Sequence, residues 1–248
     1  MPLLATNLAC RYLAYALMVS QANWFCQTLG LPQSHKFTLD DIRKGSSVGL
    51  LDTNDFCGSL LTDDYFFGFD AGHICSFVKR RQQPQNDAEV KRENIELSKH
   101  SSLIDTNEAI RLATNWLARS GAKLSILQSN YTMSMIQWKF YPQYHPTNSA
   151  GPISKDAVLL PIFQMEWHGD YIRKGRVLNR GPVAQVIVSG ITKELWECDV
   201  FTEQLVSTPL IRVKDLNRVL SISDEEFKGY DDVQRSNFVG QFGGFSVR

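Results

Sequence analysis

The chain lacks an excess of charge of either sign. Its 248 residues contain 26 Lys and Arg against 26 Asp and Glu, so the net charge is zero. Nucleic-acid-binding domains normally carry a clear basic excess, so the sequence predicts no nucleic-acid partner. The five cysteines are scattered without a CxxC pair, which argues against a disulfide framework and against a zinc site. We therefore expect no metal and no cofactor.

Long apolar runs are also missing. None approaches the roughly 18–20 residues that a membrane-spanning helix needs, so no transmembrane segment is expected. Residues 12–19 are apolar, but Arg11 directly adjoins them and residues 1–10 contain no Lys or Arg, which is unlike a signal peptide. A cytoplasmic location is therefore favoured over export. The segment is instead predicted as a helix over 8–29, ended by Gly30 and Pro32. Its apolar side is predicted to hold Leu8, Tyr12, Tyr15, Val19 and Phe25.

One amphipathic helix is marked at its start, along one face and at its end. Asp105 is a good N-cap residue, and Glu108 follows at the third position, as in a capping box. Gly121 is a typical terminating residue. Between them, apolar residues recur with helical spacing, which predicts a helix with one buried face. These residues are Ala109, Leu112, Ala113, Trp116 and Leu117.

After Gly121 the spacing changes from the helical period to the alternation of strands. Four runs follow, at 135–141, 159–168, 183–188 and 196–200, with loops at 142–156 and 169–182. In the first run, Ile136 and Trp138 are predicted to face inward. Apolar residues on one face and polar ones on the other are typical of an antiparallel sheet covered on one side. The helix is predicted to cover this sheet, with a core centred on Trp116, Trp138, Trp167 and Trp196.

The first 80 residues also predict a helix followed by a hairpin. Tyr65, Phe67 and Phe69 alternate up to a turn at 70–72, and residues 74–80 form the return strand. Residues 79–102 are rich in charged and amide side chains, which predicts a linker with an exposed helix over 88–99. Short helices are expected at the C-terminus, with a tail at 240–248 that is loose unless it docks.

The predicted fold class is α+β, with antiparallel sheets each covered by an amphipathic helix, in two related helix-plus-sheet units. An N-terminal helix and hairpin unit is predicted at 1–82, and a charged linker at 83–102. The helix with its four-stranded antiparallel sheet is predicted at 103–208. The closing helices and tail occupy 209–248.

Gly45-Ser46-Ser47-Val48-Gly49 matches the GxSxG pattern of serine hydrolases. In an α/β-hydrolase this Ser lies on a turn between a strand and a helix. Here helix-like residues precede the motif and a turn-like cluster at 52–55 follows it, so a loop is favoured over a nucleophile. The five His residues show no metal-ligand spacing. No catalytic residue is assigned, and the chain is predicted not to be an enzyme.

The most suggestive surface feature is the basic loop at 169–182. Arg173, Lys174, Arg176 and Arg180 lie within eight residues, with Tyr171 nearby. Such a cluster could bind an acidic partner or a phosphate group. The alternative is a solvated hairpin excursion. These five residues form the candidate binding site.

The order of helix and strands, with Asp105-Thr106-Asn107-Glu108-Ala109 opening the helix, resembles a PepSY-type module over 105–201. Such modules are small helix-on-sheet units related in shape to cystatins, and the first helix and hairpin suggest a second, divergent copy. Residues 185–190 are similar to the QxVxG loop of cystatins, with the Gly one place late. The layout is also similar to that of uncharacterised bacterial proteins. PepSY units occur in protease propeptides and envelope proteins, so the resemblance implies binding or inhibition rather than catalysis.

The sequence therefore favours a non-enzymatic module that binds a protein or a peptide, with inhibition of that partner as one option. An exposed strand edge is a physical route to such binding, because it can accept an added strand. Two alternatives stay open. One is a serine hydrolase that uses Ser47, and the other is a structural component of an envelope or assembly. The partner's identity and the oligomeric state are not indicated.

Overall fold

A computed structural model describes residues 7–50, 56–80, 87–98, 104–138, 162–173, 175–201, 203–206 and 210–246. The helices are α1 (Leu8–Leu29), α2 (Asp87–Ser98), α3 (Thr106–Arg119), α4 (Leu124–Asn130), α5 (Leu216–Ser221), α6 (Asp224–Lys228) and α7 (Asp232–Phe242). The strands are β1 (Ser47–Leu50), β2 (Phe56–Leu61), β3 (Tyr65–Asp70), β4 (His73–Lys79), β5 (Thr132–Trp138), β6 (Ile162–Arg173), β7 (Arg176–Ser189), β8 (Leu195–Val200), β9 (Leu210–Val213) and β10 (Gly243–Ser246). Two short 3-10 helices occupy Leu39–Asp41 and Glu203–Leu205. The fold class is α+β with antiparallel strand pairing, which confirms the prediction.

The chain forms two compact units. Unit 1 comprises Met1–Val78, Arg119–Ala122 and Val206–Arg248, and unit 2 comprises Lys79–Ala118 and Lys123–Leu205. The C-terminal segment thus belongs with the N-terminal one, whereas the sequence sets it apart as a closing piece. Local spacing of residues carries no information about the unit against which a distant segment packs.

Helix α1 is enclosed within unit 1. It contacts strands β1, β2, β9 and β10 and helices α5, α6 and α7. Leu13 and Leu17 are buried, whereas Tyr12 and Tyr15 are only half-buried, so the predicted apolar side is partly wrong. A helix surrounded by other elements is apolar around much of its circumference and has no single stripe. Its predicted end is confirmed, because Gly30 adopts a left-handed conformation with φ 66°.

An aromatic cluster fills the core of unit 1. The strand order is β1-β2-β3-β4, and β3 and β4 form the hairpin predicted around residues 70–72. Neighbouring rings of the cluster have centroids between 5.4 and 6.2 Å apart. Its members are Phe25, Phe37, Tyr65, Phe67 and Phe77, all buried. Because each large aromatic side chain buries roughly 150–250 Å², this cluster dominates the packing of the unit.

The C-terminal segment is regular structure rather than a loose tail. Helix α7 runs to Phe242, and β10 pairs with β9 from Gly243↔Val213 to Ser246↔Leu210. Of the two outcomes predicted for the tail, loose or docked, residues 240–246 show the docked one. Residue-level spacing is a weak signal in a four-residue strand that contains two glycines, so β10 itself could not be predicted.

The short closing helices are confirmed, and side chains fix their ends. The Ser223 hydroxyl caps α6 by accepting a hydrogen bond from the Glu226 backbone N–H at 3.1 Å. Asn7 joins two helix ends in unit 1. Its Oδ1 accepts from the Cys10 N–H at 2.8 Å at the start of α1, while its Nδ2 donates to carbonyls of Val219, Leu220 and Ile222 at 3.0–3.1 Å. Both groups of orphan backbone atoms are thereby satisfied.

Unit 2 contains helix α3 as far as Ala118 and a sheet with the strand order β8-β7-β6-β5. The predicted start and end are confirmed: the Asp105 carboxylate accepts from the Glu108 N–H at 2.8 Å, and Gly121 has φ 91°. The buried line of the helix passes through Ala109, Ala113 and Leu117. Helix α2 confirms the exposed helix predicted over 88–99, while α4 was not predicted.

The predicted tryptophan core is largely wrong. Trp167 is buried, but Trp116 and Trp196 are half-buried, and the side chain of Trp138 lies outside the described residues. On α3 the buried residues are Ala109, Ala113 and Leu117, and Trp116 does not belong to this buried line. Phe163 and Met165 occupy the centre instead. Residues 139–141 of the first predicted strand and the loop at 142–156 lie outside the described residues.

Candidate functional site

Strands β6 and β7 extend beyond their neighbours. Strand β5 begins opposite His168, and β8 ends with Val200 opposite Ala184. Past these points, in the part of the chain that the structure describes, β6 and β7 pair with each other from Gly169↔Gly181 to Arg173↔Arg176. We call residues 169–181 the hairpin arm. The interruption predicted at 169–182 is a two-stranded ribbon over most of its length, which agrees with the hairpin excursion and not with an irregular loop.

The residues at the base of the arm explain why the sheet narrows there. The register shifts after Trp167, which pairs with Ala184, to His168, which pairs with Pro182, so Val183 is an extra residue. Proline cannot donate a ladder hydrogen bond and is confined to bulges and edges of sheets. Strand β8 accordingly ends just before the level of Pro182.

The first residue of the arm lies against an aromatic ring. A Cβ atom on Gly169 would lie 2.4 Å from the ring of Tyr131, so the close approach requires glycine at this position. The Tyr131 hydroxyl is also 3.4 Å from Oε1 of Gln204, which ties the same ring to the end of unit 2. The start of β5 and the base of the arm are thereby packed together.

A second bulge exposes apolar side chains on the arm. Tyr171 pairs with Asn179 and Ile172 with Val177, so Leu178 is the extra residue. Val177 is 56% exposed and Leu178 is 55% exposed. Single exposed aliphatic residues are ordinary on protein surfaces, but two adjacent ones on a projecting ribbon form a small apolar surface.

The predicted binding residues all belong to the arm. By sequence, its four cations oppose Asp170 alone, which gives the arm a charge of +3 and leaves −3 for the rest of the neutral chain. Arg176 is exposed, and Tyr171 is half-buried. Arg180 donates from Nε to Oδ1 of Asp170 at 2.9 Å, an exposed pair that contributes little stability. Lys174 and the side chain of Arg173 lie outside the described residues.

Strand β5 is the open edge of unit 2 and was missed as a site. It pairs with β6 from Thr132↔His168 to Trp138↔Ile162, and no described strand pairs with its other side. Met133 is 37% exposed and Ile136 is 42% exposed. The strand contains no charged residue, Pro or Gly, although proteins commonly use charges and prolines to protect sheet edges.

The predicted inner face of β5 is wrong by one residue. Ile136 pairs with Gln164 on the polar face of the sheet, whereas Met135 pairs with Met165 on the core face. Because side chains alternate along a strand, a shift of one residue moves the whole set to the other face. Apolar residues lie on both faces of β5, so alternation alone could not decide between them.

The polar face of the same sheet carries a Ser–His–Glu group that the sequence did not reveal. Ser134 Oγ and Glu166 Oε2 both lie 3.1 Å from Nε2 of His168. In a catalytic triad the serine and the carboxylate use different ring nitrogens, because the histidine takes the serine proton on one and donates from the other. The arrangement around His168 therefore lacks triad geometry.

Ser47 lies on a strand rather than in the predicted loop. Strand β1 pairs with β2, Ser47 is opposite Ser59, and their hydroxyl oxygens are 3.0 Å apart. A nucleophile elbow needs a strand-to-helix turn, and the backbone at Ser47 is extended in an antiparallel pair. The GxSxG match is therefore accounted for by small residues in a short strand.

A second Ser–His–Asp line lies in unit 1. Ser34 Oγ is 3.0 Å from His35 Nδ1, and His35 Nε2 is 2.7 Å from Asp41 Oδ1. The other carboxylate oxygen accepts from the backbone N–H and the hydroxyl of Thr38, which begins the first 3-10 helix. The Thr38 N–H, followed by the His35 side chain, lowers the pKa of Asp41. The line uses both ring nitrogens, but Ser34 and His35 are exposed to solvent.

Two further findings concern the described residues alone. No group of three or more His, Cys, Asp or Glu side chains there is placed to hold a metal ion. None of the described helices combines the length and apolar character needed to cross a bilayer. Comparison with models of known protein families, with curated proteins and with solved structures gives no match. The PepSY resemblance therefore stays a prediction.

Proposed function

We propose that the chain is a non-enzymatic binding module that takes an extended segment of a protein or peptide partner onto strand β5. The observation that carries this proposal is the uncharged edge from Thr132 to Trp138, whose outer side pairs with no strand among the described residues. Every second residue of an edge strand directs its N–H and C=O groups away from the sheet, where an added strand can bind them. The predicted PepSY resemblance, which implies binding or inhibition, is in keeping with this mode.

The energetics favour a moderate affinity. Each backbone hydrogen bond contributes a net of about 0.5–1.5 kcal/mol, and ordering a flexible peptide offsets much of the sum. Met133 and Ile136 lie on opposite faces of the strand, so both rows of side chains on an added strand find an apolar neighbour. We therefore expect β-branched and aromatic residues in the bound segment.

A random library of 12-residue peptides, selected on the full chain, tests the proposal. We expect enrichment of extended, β-prone sequences, whose binding to labelled protein is then measured by fluorescence anisotropy. Ile136→Lys introduces a charge on the edge and should weaken binding at least about tenfold. Leu220→Lys is the matched control, because Leu220 is also 42% exposed but lies in unit 1. Equal binding by Ile136→Lys and wild type would contradict the proposal.

A serine hydrolase is the second candidate, favoured by the Ser34–His35–Asp41 line. A fluorophosphonate probe would label an activated serine. Labelling that is lost in Ser34→Ala but kept in Ser47→Ala would replace the binding proposal with a hydrolase at the exposed line, and the reverse pattern would restore the GxSxG hypothesis. Absence of labelling in the wild-type chain is the result that we expect.

The third candidate is a structural component of an envelope or assembly. No contact among the described residues supports it. Light scattering after size exclusion distinguishes a structural component from a binding module, because a structural component forms large closed oligomers. We expect small species that bind selected peptides. The cytoplasmic location stays a prediction.

A further inference from the structure

We propose that a second copy of this chain is a partner of strand β5, and that the β5 strands of the two copies pair antiparallel about a twofold axis at Met135. This inference rests on the proposed function and names one partner for the same edge. Three properties of β5 carry it: its exposure on both faces of the sheet, the order of its residues and its lack of charge.

Strand β5 is exposed on both faces of the sheet, in addition to having no described strand on its outer side. Met133 and Gln137 are exposed on the core face, and Ser134 and Ile136 are exposed on the polar face. On the neighbouring strand β6, by contrast, Met165 is fully buried. The rest of the chain therefore leaves both faces of β5 accessible at these positions.

The order of residues in β5 brings apolar side chains together when the strand pairs with its own copy. A twofold axis normal to the sheet makes the two strands antiparallel and keeps each face on its own side. With the axis at Met135, all seven residues of β5 are paired, which is the largest overlap that two copies can reach. On the core face the two Met135 side chains then lie directly opposite each other. On the polar face the two Ile136 side chains are diagonal neighbours, within reach of each other.

The lack of charge permits this pairing. A twofold axis brings identical residues close together, so a charged residue near its centre would repel its counterpart. The seven residues of β5 include none. The two methionines have flexible side chains that adapt to a partner surface.

The expected affinity of the pair is low. A single pair of seven-residue strands forms a smaller contact than the roughly 1,200–2,000 Å² of stable complexes. We therefore expect a dimer dissociation constant of about 10–100 µM, with the chain monomeric at submicromolar concentration.

Sedimentation equilibrium over a concentration series tests the association. We expect a reversible monomer–dimer equilibrium for the wild-type chain. Ile136→Lys brings two cations close to the axis and should weaken dimerisation at least about tenfold. Leu220→Lys, at a position equally exposed but in unit 1, should dimerise as wild type does. A wild-type chain that stays monomeric at about 500 µM, or a dimer that Ile136→Lys leaves unchanged, would overturn the inference.

Single cysteine substitutions test the position of the axis. Met135→Cys places two thiols directly opposite each other, with Cα atoms within the roughly 4.4–6.8 Å that a disulfide spans. Met133→Cys, on the same face, places them about 13 Å apart along the strands. On oxidation, Met135→Cys should form a covalent dimer, whereas Met133→Cys and the wild-type chain with its five native cysteines should not. Equal crosslinking of the two variants, or none in Met135→Cys, would overturn the proposed pairing.

A peptide with the sequence of residues 130–140 separates this inference from the proposed function. It should bind the labelled chain in fluorescence anisotropy and dissociate the dimer. The same peptide with Ser134→Pro and Ile136→Pro cannot join the ladder of hydrogen bonds and should do neither. If library peptides bind β5 while this peptide does not and the chain stays monomeric, the second copy is not the partner and β5 binding stands. If no peptide binds and the chain stays monomeric, both proposals fail.

Discussion

Strands β3 and β5 are both short and nearly without charge but have opposite environments. Both are short, and neither contains a charged residue before its last position. Strand β3 lies between β2 and β4, and its Tyr65, Phe67 and Phe69 are almost fully buried. Strand β5 has β6 on one side, and Met133 and Ile136 are exposed. The environment of a strand is therefore set by the elements that pair with and cover it, and its residue pattern alone does not determine it.

The difference has a functional consequence. Burying apolar side chains stabilises unit 1, because roughly 25 cal/mol is gained for each Å² of apolar surface removed from water. The same kind of side chain left on an open edge contributes little stability and stays available for a partner. Substitutions in β3 should therefore affect folding, and those in β5 should affect association.

The largest expected effect is on folding. Phe67→Ala should lower the free energy of unfolding by about 3–5 kcal/mol, because Phe67 is fully buried and its ring lies 5.7–6.2 Å from four others. Ile136→Ala in β5 is the matched variant and should change the free energy of unfolding by less than about 0.5 kcal/mol. Urea unfolding of the three proteins measures both values. Similar losses in the two variants would end the distinction between the strands.

A smaller loss is expected from the group that holds the aromatic cluster in place. The amide of Asn23 bonds the backbone of Phe37 twice at 2.8 Å, donating to its carbonyl and accepting from its N–H. Asn23→Ala leaves both buried backbone groups without these partners and should cost about 2–4 kcal/mol. Gln33→Ala removes a side chain that donates to Asn23 at 3.3 Å and should cost under about 1 kcal/mol. Thermal unfolding of both variants would sharpen the comparison, and an equal cost would contradict it.

A charge on the open edge should affect association far more than stability. In mild denaturant, wild type should form aggregates that bind thioflavin T, because β5 combines β-prone residues with no charge. Ile136→Lys should delay this several-fold with an unchanged unfolding midpoint. Leu220→Lys should aggregate as wild type does. A delay of the same size in the control would show that net charge, and not the edge, controls aggregation.

The smallest expected effect is a difference in reactivity between the buried and the half-buried cysteine thiols of unit 1. Burial raises the pKa of Cys10 to about 11 and that of Cys26 to about 12. These thiols are neutral in the folded state, so the stability linked to them is complete below their ordinary pKa near 9 and is lost as pH rises through the folded values. At pH 8, iodoacetamide should modify the half-buried Cys57 and Cys75 faster, as mass spectrometry would show. Rapid modification of Cys26 in the folded chain would contradict its burial.

Features that depend on local chemistry could be predicted from the sequence. The Asp105 cap, the Gly121 terminus and the turn between β3 and β4 each follow from a few adjacent residues, and all three are present. Features that depend on how distant segments pair and pack could not be predicted from the sequence. The inverted face of β5, the half-buried Trp116 and the strand β10 depend on segments distant in sequence.

The candidate site shows the same division. The arginines of the arm are conspicuous in the sequence, but the two bulges that shape the ribbon are visible only in the register of β6 and β7. Nothing in the residues of β5 marks it as an edge, because edge status is defined by the absence of a neighbour. An uncharged strand without Pro or Gly is equally suited to the centre of a sheet.

Amide hydrogen exchange across β3 and β5, with and without a selected peptide, distinguishes a paired strand from an open edge. We expect uniform protection in β3 and protection of alternate amides in β5, with the unprotected β5 amides becoming protected when the peptide binds. Uniform protection of Thr132 to Trp138 before any peptide is added, at the level found in β3, would contradict this expectation.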